Sequence, residues 1–163
     1  MLTGDYTIEP MKIKDLREVL AIEKAVFPHP WSENFFRLII SDKNNYMVTI
    51  KLGGRVIGYG GYHLLKNDVE FRLMNKRYDF VVHIINISIA PDFQGKGYGT
   101  ILMNYLLEDA RSRGVEFAYL EVRPSNERAI SLYRRFGFMI VGIIENYYPL
   151  ERENALVMGL NIV

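Results

Sequence analysis

Residues Phe93–Gly99 read FQGKGYG, between the apolar run ISIAPD and the segment TILMNYLLEDA. The loop joins a strand-like run, FVVHIINISIA, to the start of a strongly periodic helix. A helix start carries backbone N–H groups without helical partners, and its dipole favours negative charge. Glycines at 95, 97 and 99 remove side chains, so the backbone is free to wrap closely around a phosphate. A Walker loop requires Gly-Lys followed by Ser or Thr, and Lys96 is followed by Gly97. A Rossmann fingerprint requires GxGxxG early in a first βαβ unit; the spacing here is GxGxG, late in the chain. A Q/R-x-x-G-x-G/A pyrophosphate loop is met by Gln94, Gly97 and Gly99. The loop alone also admits a tight strand-to-helix turn with no ligand.

Working outward, TILMNYLLEDARSRG places Ile101, Leu102, Tyr105, Leu106 and Ala110 on one helical face, with Gly114 as C-cap. EFAYLEVR reads as a strand, and SNERAISLYRRFGF as an N-capped helix ending at Gly137. FMIVGIIENYY and NALVMGLNIV close the chain as strands. Towards the N-terminus, YTIEP alternates like a short strand, and Ile13 to Phe27 forms an amphipathic helix. FPHPW breaks that helix, and Ser32 caps another running to about Ile40. NNYMVTI and RVIGYGGYHLL flank KLGG, whose Gly-Gly suits a hairpin turn. Residues 66–79, KNDVEFRLMNKRYD, are charged and fit no pattern. Strands and helices alternate, so the expectation is one mixed α/β domain spanning 1–163.

Composition narrows the chemistry. Of 163 residues about half are hydrophobic, and the net charge is +1, so no general attraction to nucleic acid or to an anionic membrane is expected. There is no cysteine, which excludes disulfides, thiolate metal ligands and a cysteine nucleophile. The three histidines show no metal-ligand spacing, so no metal is expected. MLTGDYTIEP lacks the pattern of a signal peptide, and no apolar run approaches a membrane span, so a soluble cytoplasmic protein is the default.

Four segments in order carry a resemblance. NISIAPDFQGKGYG, LEVRPSNERAISLYRRFGF and NYYPLERENALVMGL resemble the central strand with its coenzyme A loop, the next strand and helix, and the closing hairpin of the GCN5-related N-acetyltransferase (GNAT) superfamily. FPHPWSENF resembles the substrate-side loop of the branch that acetylates protein N-termini, which includes RimI-like and archaeal Ard1-like enzymes. The likeness spans nearly the whole chain. Residues 66–79 depart from it, because relatives have a short connection there; the segment is expected either to extend the hairpin or to lean over the substrate side. The implied fold is a mixed, mostly antiparallel twisted sheet flanked by about four helices.

The implied reaction is direct attack of an amine on acetyl-CoA, with a protein or peptide N-terminus as acceptor, ribosomal proteins among the candidates. Lysine or small-amine acetylation and a non-catalytic coenzyme A-binding domain are the rival readings. An ammonium has no lone pair, so a base must take its proton. An α-amine with a pKa near 8 is roughly one-tenth neutral at pH 7, whereas a lysine near 10.4 is far scarcer in that form. Glu121, a charge in an otherwise apolar strand, is the first candidate base; the alternative is a sheet-face glutamate paired with Arg123 or another base. His83, whose intrinsic pKa suits proton relay, is the second candidate. Tyr133 matches the family tyrosine near the thioester sulfur and is the candidate acid. Gln94, Gly95, Lys96, Gly97, Tyr98, Gly99 and Thr100 are the implied pyrophosphate contacts. The backbone of Ile87, Ser88 and Ile89 is expected to pair with the pantetheine arm as an added strand would. Asn126 resembles a cofactor contact, and it or Ser125 also suits helix capping. Phe27, Pro28, His29, Tyr147 and Tyr148 are the implied acceptor-side residues; His29 stands where some N-terminal acetyltransferases use a glutamate.

Overall fold

The computed structural model describes residues 4–71 and 74–162, the side chains at 67 and 68 excepted. The strands are β1 (Tyr6–Pro10), β2 (Asn45–Leu52), β3 (Arg55–Phe71), β4 (Lys76–Ile89), β5 (Phe117–Val122), β6 (Met139–Tyr148) and β7 (Glu153–Asn161), and the helices α1 (Leu16–Val26), α2 (Glu33–Ser41), α3 (Tyr98–Ser112) and α4 (Glu127–Arg135). Among the described residues the strands order as β1-β2-β3-β4-β5-β7-β6. The pairing is antiparallel for β1 with β2, β2 with β3, β5 with β7 and β6 with β7, and parallel for β4 with β5. The mixed, mostly antiparallel α/β class expected from the sequence is what the chain adopts.

The chain divides into two compact units, one of residues up to His63 with Ile85–Glu108, the other of Leu64–Ile84 with Asp109 onward. In the first, α1 buries Leu16, Val19 and Ile22 at helical spacing. It ends at Phe27, whose extended backbone (φ −110°, ψ 136°) is what a residue before proline adopts. The Ser32 hydroxyl accepts the Phe35 N–H and starts α2. Gly53 and Gly54, at φ 57° and 79°, make the tight β2–β3 turn, a conformation that side chains resist. Phe36 of α2 meets Tyr59 of β3 edge-on at 5.7 Å in the core.

In the second unit, β5 lies between its neighbours: Val81–His83 pair with Phe117–Tyr119, and Phe117–Val122 pair with Leu156–Asn161. The core gathers Phe71, Val81, Phe117 and Val157. The unassigned 66–79 segment resolves as an extension of the β3–β4 hairpin, with β3 running to Phe71 and β4 starting at Lys76; residues 72 and 73 lie outside the described ones. Its charged residues hid the strand pattern, while Phe71 and half-buried Tyr78 supply the apolar side. Among the described residues no helix is long and apolar enough to cross a membrane.

Candidate active site

In the first unit, β4 ends with half-buried Ile87 and buried Ser88 and Ile89. A single 3-10 turn over Pro91–Phe93 follows. The Gln94 side-chain amide then donates to the Ile89 carbonyl at 2.9 Å, so this side chain closes the strand end. Gly95 and Gly97 adopt φ 75° and 94°, a left-handed backbone in which a Cβ is costly. Tyr98 is buried and packs edge-on against Phe93 at 6.3 Å, anchoring the start of α3, where the Ile101 N–H bonds the Gly97 carbonyl at 3.1 Å. Gly95, Lys96, Gly97 and Thr100 are exposed. The Lys96 ammonium and the Arg55 guanidinium each lie 5.6 Å from the Phe93 ring centre. A turn with glycines at every second position, two cations and the N-terminus of a 15-residue helix suit a polyanion such as a pyrophosphate. Arg55 escapes sequence inspection because it opens β3, 41 residues before Lys96.

Phe27 is half-buried, and Pro28 and His29 are exposed. What fixes this loop is Glu23 of α1, buried to 2 % exposure. Its carboxylate accepts the Trp31 N–H at 3.0 Å and the Tyr59 hydroxyl. Burial, reinforced by that carboxylate, pushes the Tyr59 phenol far up, so it stays a donor. Glu23→Ala leaves both donors without this acceptor, and the expected cost is about 1–3 kcal/mol of stability, read as a lowered urea midpoint.

The second unit assembles the titratable groups. In β5, Phe117, Tyr119 and Glu121 share one face by alternation. The parallel register sets His83 opposite Tyr119. The two rings stack at 4.5 Å with planes 5° apart, and His83 Nε2 hydrogen-bonds Glu121 Oε2. His83 and Glu121 side chains are 29 % and 14 % exposed, a pair at the surface edge rather than in the core. The partner of Glu121 is thus His83 rather than Arg123. Burial, then the Glu121 charge, pushes the Tyr119 phenol up to about 12. The Tyr147 phenol is raised by burial and then by Glu121, and Tyr148 by burial and then by Tyr147 and Glu121. Tyr147 and Tyr148 meet edge-on at 4.9 Å. Asn146, at φ 54° and with its N–H on the Asn154 side chain, marks the register shift between Ile144 and Tyr148.

Tyr133 of α4 is partly exposed as a residue, yet its phenol is enclosed by protein, and burial raises it to about 12. It therefore keeps its proton at neutral pH. The Asn126 carbonyl oxygen accepts the Ala129 N–H at 3.2 Å, so Asn126 is the cap of α4. Ser125 instead bonds Glu153, through both its N–H (3.1 Å) and its hydroxyl (2.7 Å). Among the described residues no group of three or more His, Asp or Glu side chains converges as metal ligands would.

In the first unit a glycine-rich strand–helix turn suits a phosphate-bearing ligand, and in the second an imidazole–carboxylate pair accompanies phenols that keep their protons. Residues 16–138 match the Acetyltransferase (GNAT) family, and the chain belongs to it. It is 31% identical over 160 residues to the [ribosomal protein bS18]-alanine N-acetyltransferase of Escherichia coli (strain K12), covering 96% of this chain and 97% of that one. It is 32% identical over 158 residues to the N-alpha-acetyltransferase RimI of Mycobacterium tuberculosis, covering 96% and 92%. The crystal structure of the ribosomal-protein-S18-alanine N-acetyltransferase from Escherichia coli superposes with a TM-score of 0.82 at 29% identity, over 97% of this chain and 94% of that one. Ard1 from Thermoplasma volcanium shares the fold, with a TM-score of 0.81 at 21% identity over 97% and 98%.

Proposed function

We propose that this chain transfers an acetyl group from acetyl-CoA to the α-amine at a protein or peptide N-terminus. The observation that carries this reading is the likeness, over 96% of the chain, to a ribosomal protein bS18-alanine N-acetyltransferase and an N-alpha-acetyltransferase. The alanine N-terminus of a bS18-like ribosomal protein is the first acceptor to try, with the cytoplasm as the place of action. The family match takes residues from both compact units, which supports reading 1–163 as a single domain.

Acetyl-CoA supplies an acetyl group activated as a thioester. The backbone of Gln94–Thr100, with Lys96 and Arg55, suits its pyrophosphate, and the backbone of Ile87, Ser88 and Ile89 suits its extended arm. Asn126 and Tyr133 join the donor side through the family motif. A carboxylate only accepts, so with Glu121 ionised the imidazole donates Nε2–H to it. That leaves Nδ1 and the remaining Glu121 lone pairs to take the ammonium proton, directly or through water. Tyr133 holds a proton for the departing sulfur. Tyr147 and Tyr148 are taken as acceptor-side residues from the family resemblance, and so are Phe27, Pro28 and His29.

The test compares a peptide with a free N-terminus and no lysine against an N-blocked peptide containing lysine. The lysine starts about 2.4 pKa units higher, a handicap of roughly 3 kcal/mol or about two hundredfold at neutral pH. The free N-terminus is expected to react faster by at least that order. Equal or faster reaction of the blocked lysine peptide excludes this reading of the acceptor.

A further inference from the structure

We propose that Tyr119 is a positioning residue for the His83–Glu121 pair, and that the extended β3–β4 hairpin holds it in place through Phe71. The inference rests on the reading of that pair as the proton acceptor. One hydrogen bond at Nε2 fixes a single point of the His83 ring and leaves its plane free to swing. The Tyr119 ring supplies the second constraint. Its centre lies 4.5 Å from that of the imidazole and its plane is nearly parallel, 5° away. Tyr119 also stands two residues before Glu121 on the same face of β5 and directly opposite His83 in the parallel register. One strand therefore presents both the hydrogen-bond partner and the stacking partner.

Tyr119 is itself held from the hairpin. Phe71, buried to 8 % exposure, packs on it at 4.9 Å and 55°, and on Phe117 at 5.1 Å. Tyr78 stacks flat on Phe117 at 5.0 Å and 7°. The rings run Tyr78, Phe117, Phe71, Tyr119, His83 without a gap. Phe71 and Tyr78 both come from the 66–79 segment, which the rest of the chemistry leaves without a part. The face of an aromatic ring also favours a cation over it, so the stack acts most on the imidazolium that forms when His83 takes a proton. The Tyr119 hydroxyl is dispensable in this account, and its ring is not.

The experiment measures kcat and both KM values for Tyr119→Leu, Tyr119→Phe, Tyr119→Trp and Phe71→Leu with a free N-terminal peptide, alongside the histidine ring signals by NMR. The chain has three histidines, so His83→Ala assigns the signal. Tyr119→Leu is expected to lower kcat about ten- to hundredfold, the scale of a small misplacement, with the KM for acetyl-CoA unchanged. Tyr119→Phe and Tyr119→Trp should restore kcat, and Phe71→Leu should lower it in the same sense but less. The His83 ring signals should move in Tyr119→Leu and Phe71→Leu and stay in Tyr119→Phe. A folded Tyr119→Leu at full kcat overturns the proposal, as does a loss that Tyr119→Phe shares. If Tyr119→Leu does not fold, unchanged His83 signals and kcat in Phe71→Leu overturn the role given to the hairpin. Full turnover in both His83→Ala and Glu121→Gln removes the underlying reading; loss in those two with none in Tyr119→Leu removes only this one.

Discussion

Glu121→Gln lowers kcat by about 10²–10⁴-fold and leaves acetyl-CoA affinity close to unchanged, the scale of losing a general base. The substitution isolates charge from geometry. A glutamine carbonyl still accepts the His83 Nε2–H, so the ring keeps its partner and the Tyr119 stack remains. What disappears is the carboxylate that accepts the ammonium proton. His83→Ala removes the other member, and the double variant should be little worse than the weaker single one, because groups that act as a unit are not additive. Steady-state rates at saturating acetyl-CoA, with binding measured separately by calorimetry, provide the check. Full-speed Glu121→Gln with slow His83→Ala would move the base to the imidazole alone. Two full-speed variants would leave the pair as a structural contact between β4 and β5.

The elements were legible where local chemistry decided them. Ser32 and Asn126 announce helix starts, Gly53-Gly54 the hairpin turn, Gly114 and Gly137 the helix ends, the last two at φ 80° and 95°. Residues 66–79 were not legible, because a hairpin that packs one side on aromatic neighbours and presents the other to water needs few apolar residues, and here those in the core cluster are Val69, Phe71, Met74 and Tyr78 among charges. The individual site candidates could be marked on the sequence, but their partnership could not. Glu121 and His83 are 38 residues apart, and only the parallel register of β4 with β5 brings them together. Sequence treats them as alternatives for one proton; the geometry makes them one hydrogen-bonded pair. Tyr119 was hidden as one more aromatic residue in a strand, since alternation gives its face but not what lies opposite. Gln94 shows the reverse case. Its spacing to Gly97 and Gly99 suggests a phosphate contact, while its side chain closes the end of β4 on the Ile89 carbonyl. The backbone around it is what the loop offers to a ligand.

Gly97→Val is expected to reduce acetyl-CoA affinity by roughly 10²–10⁴-fold with the fold retained. At φ 94° the residue occupies backbone space that a β-branched side chain enters at a cost of about 1–3 kcal/mol. Gly97 is exposed, so the added side chain meets solvent rather than core, and that strain is the main burden on stability. Two changes follow for the ligand. The backbone shifts out of the left-handed region, turning N–H groups away from the start of α3, and the isopropyl group stands where a phosphate must approach. Losing two charge-assisted hydrogen bonds at about 1.5–3 kcal/mol each accounts for the affinity range. Strain alone is separated by a control at another left-handed glycine: Gly114, at φ 80° beyond the C-terminal end of α3, carries no such role, so Gly114→Val should lower the melting temperature and leave acetyl-CoA binding intact. Calorimetric titration of acetyl-CoA into both variants, each with a thermal melt, makes the comparison. If folded Gly97→Val binds as the parent does, the donor's phosphates are not held at this turn, and the reading of FQGKGYG as a pyrophosphate loop fails with it.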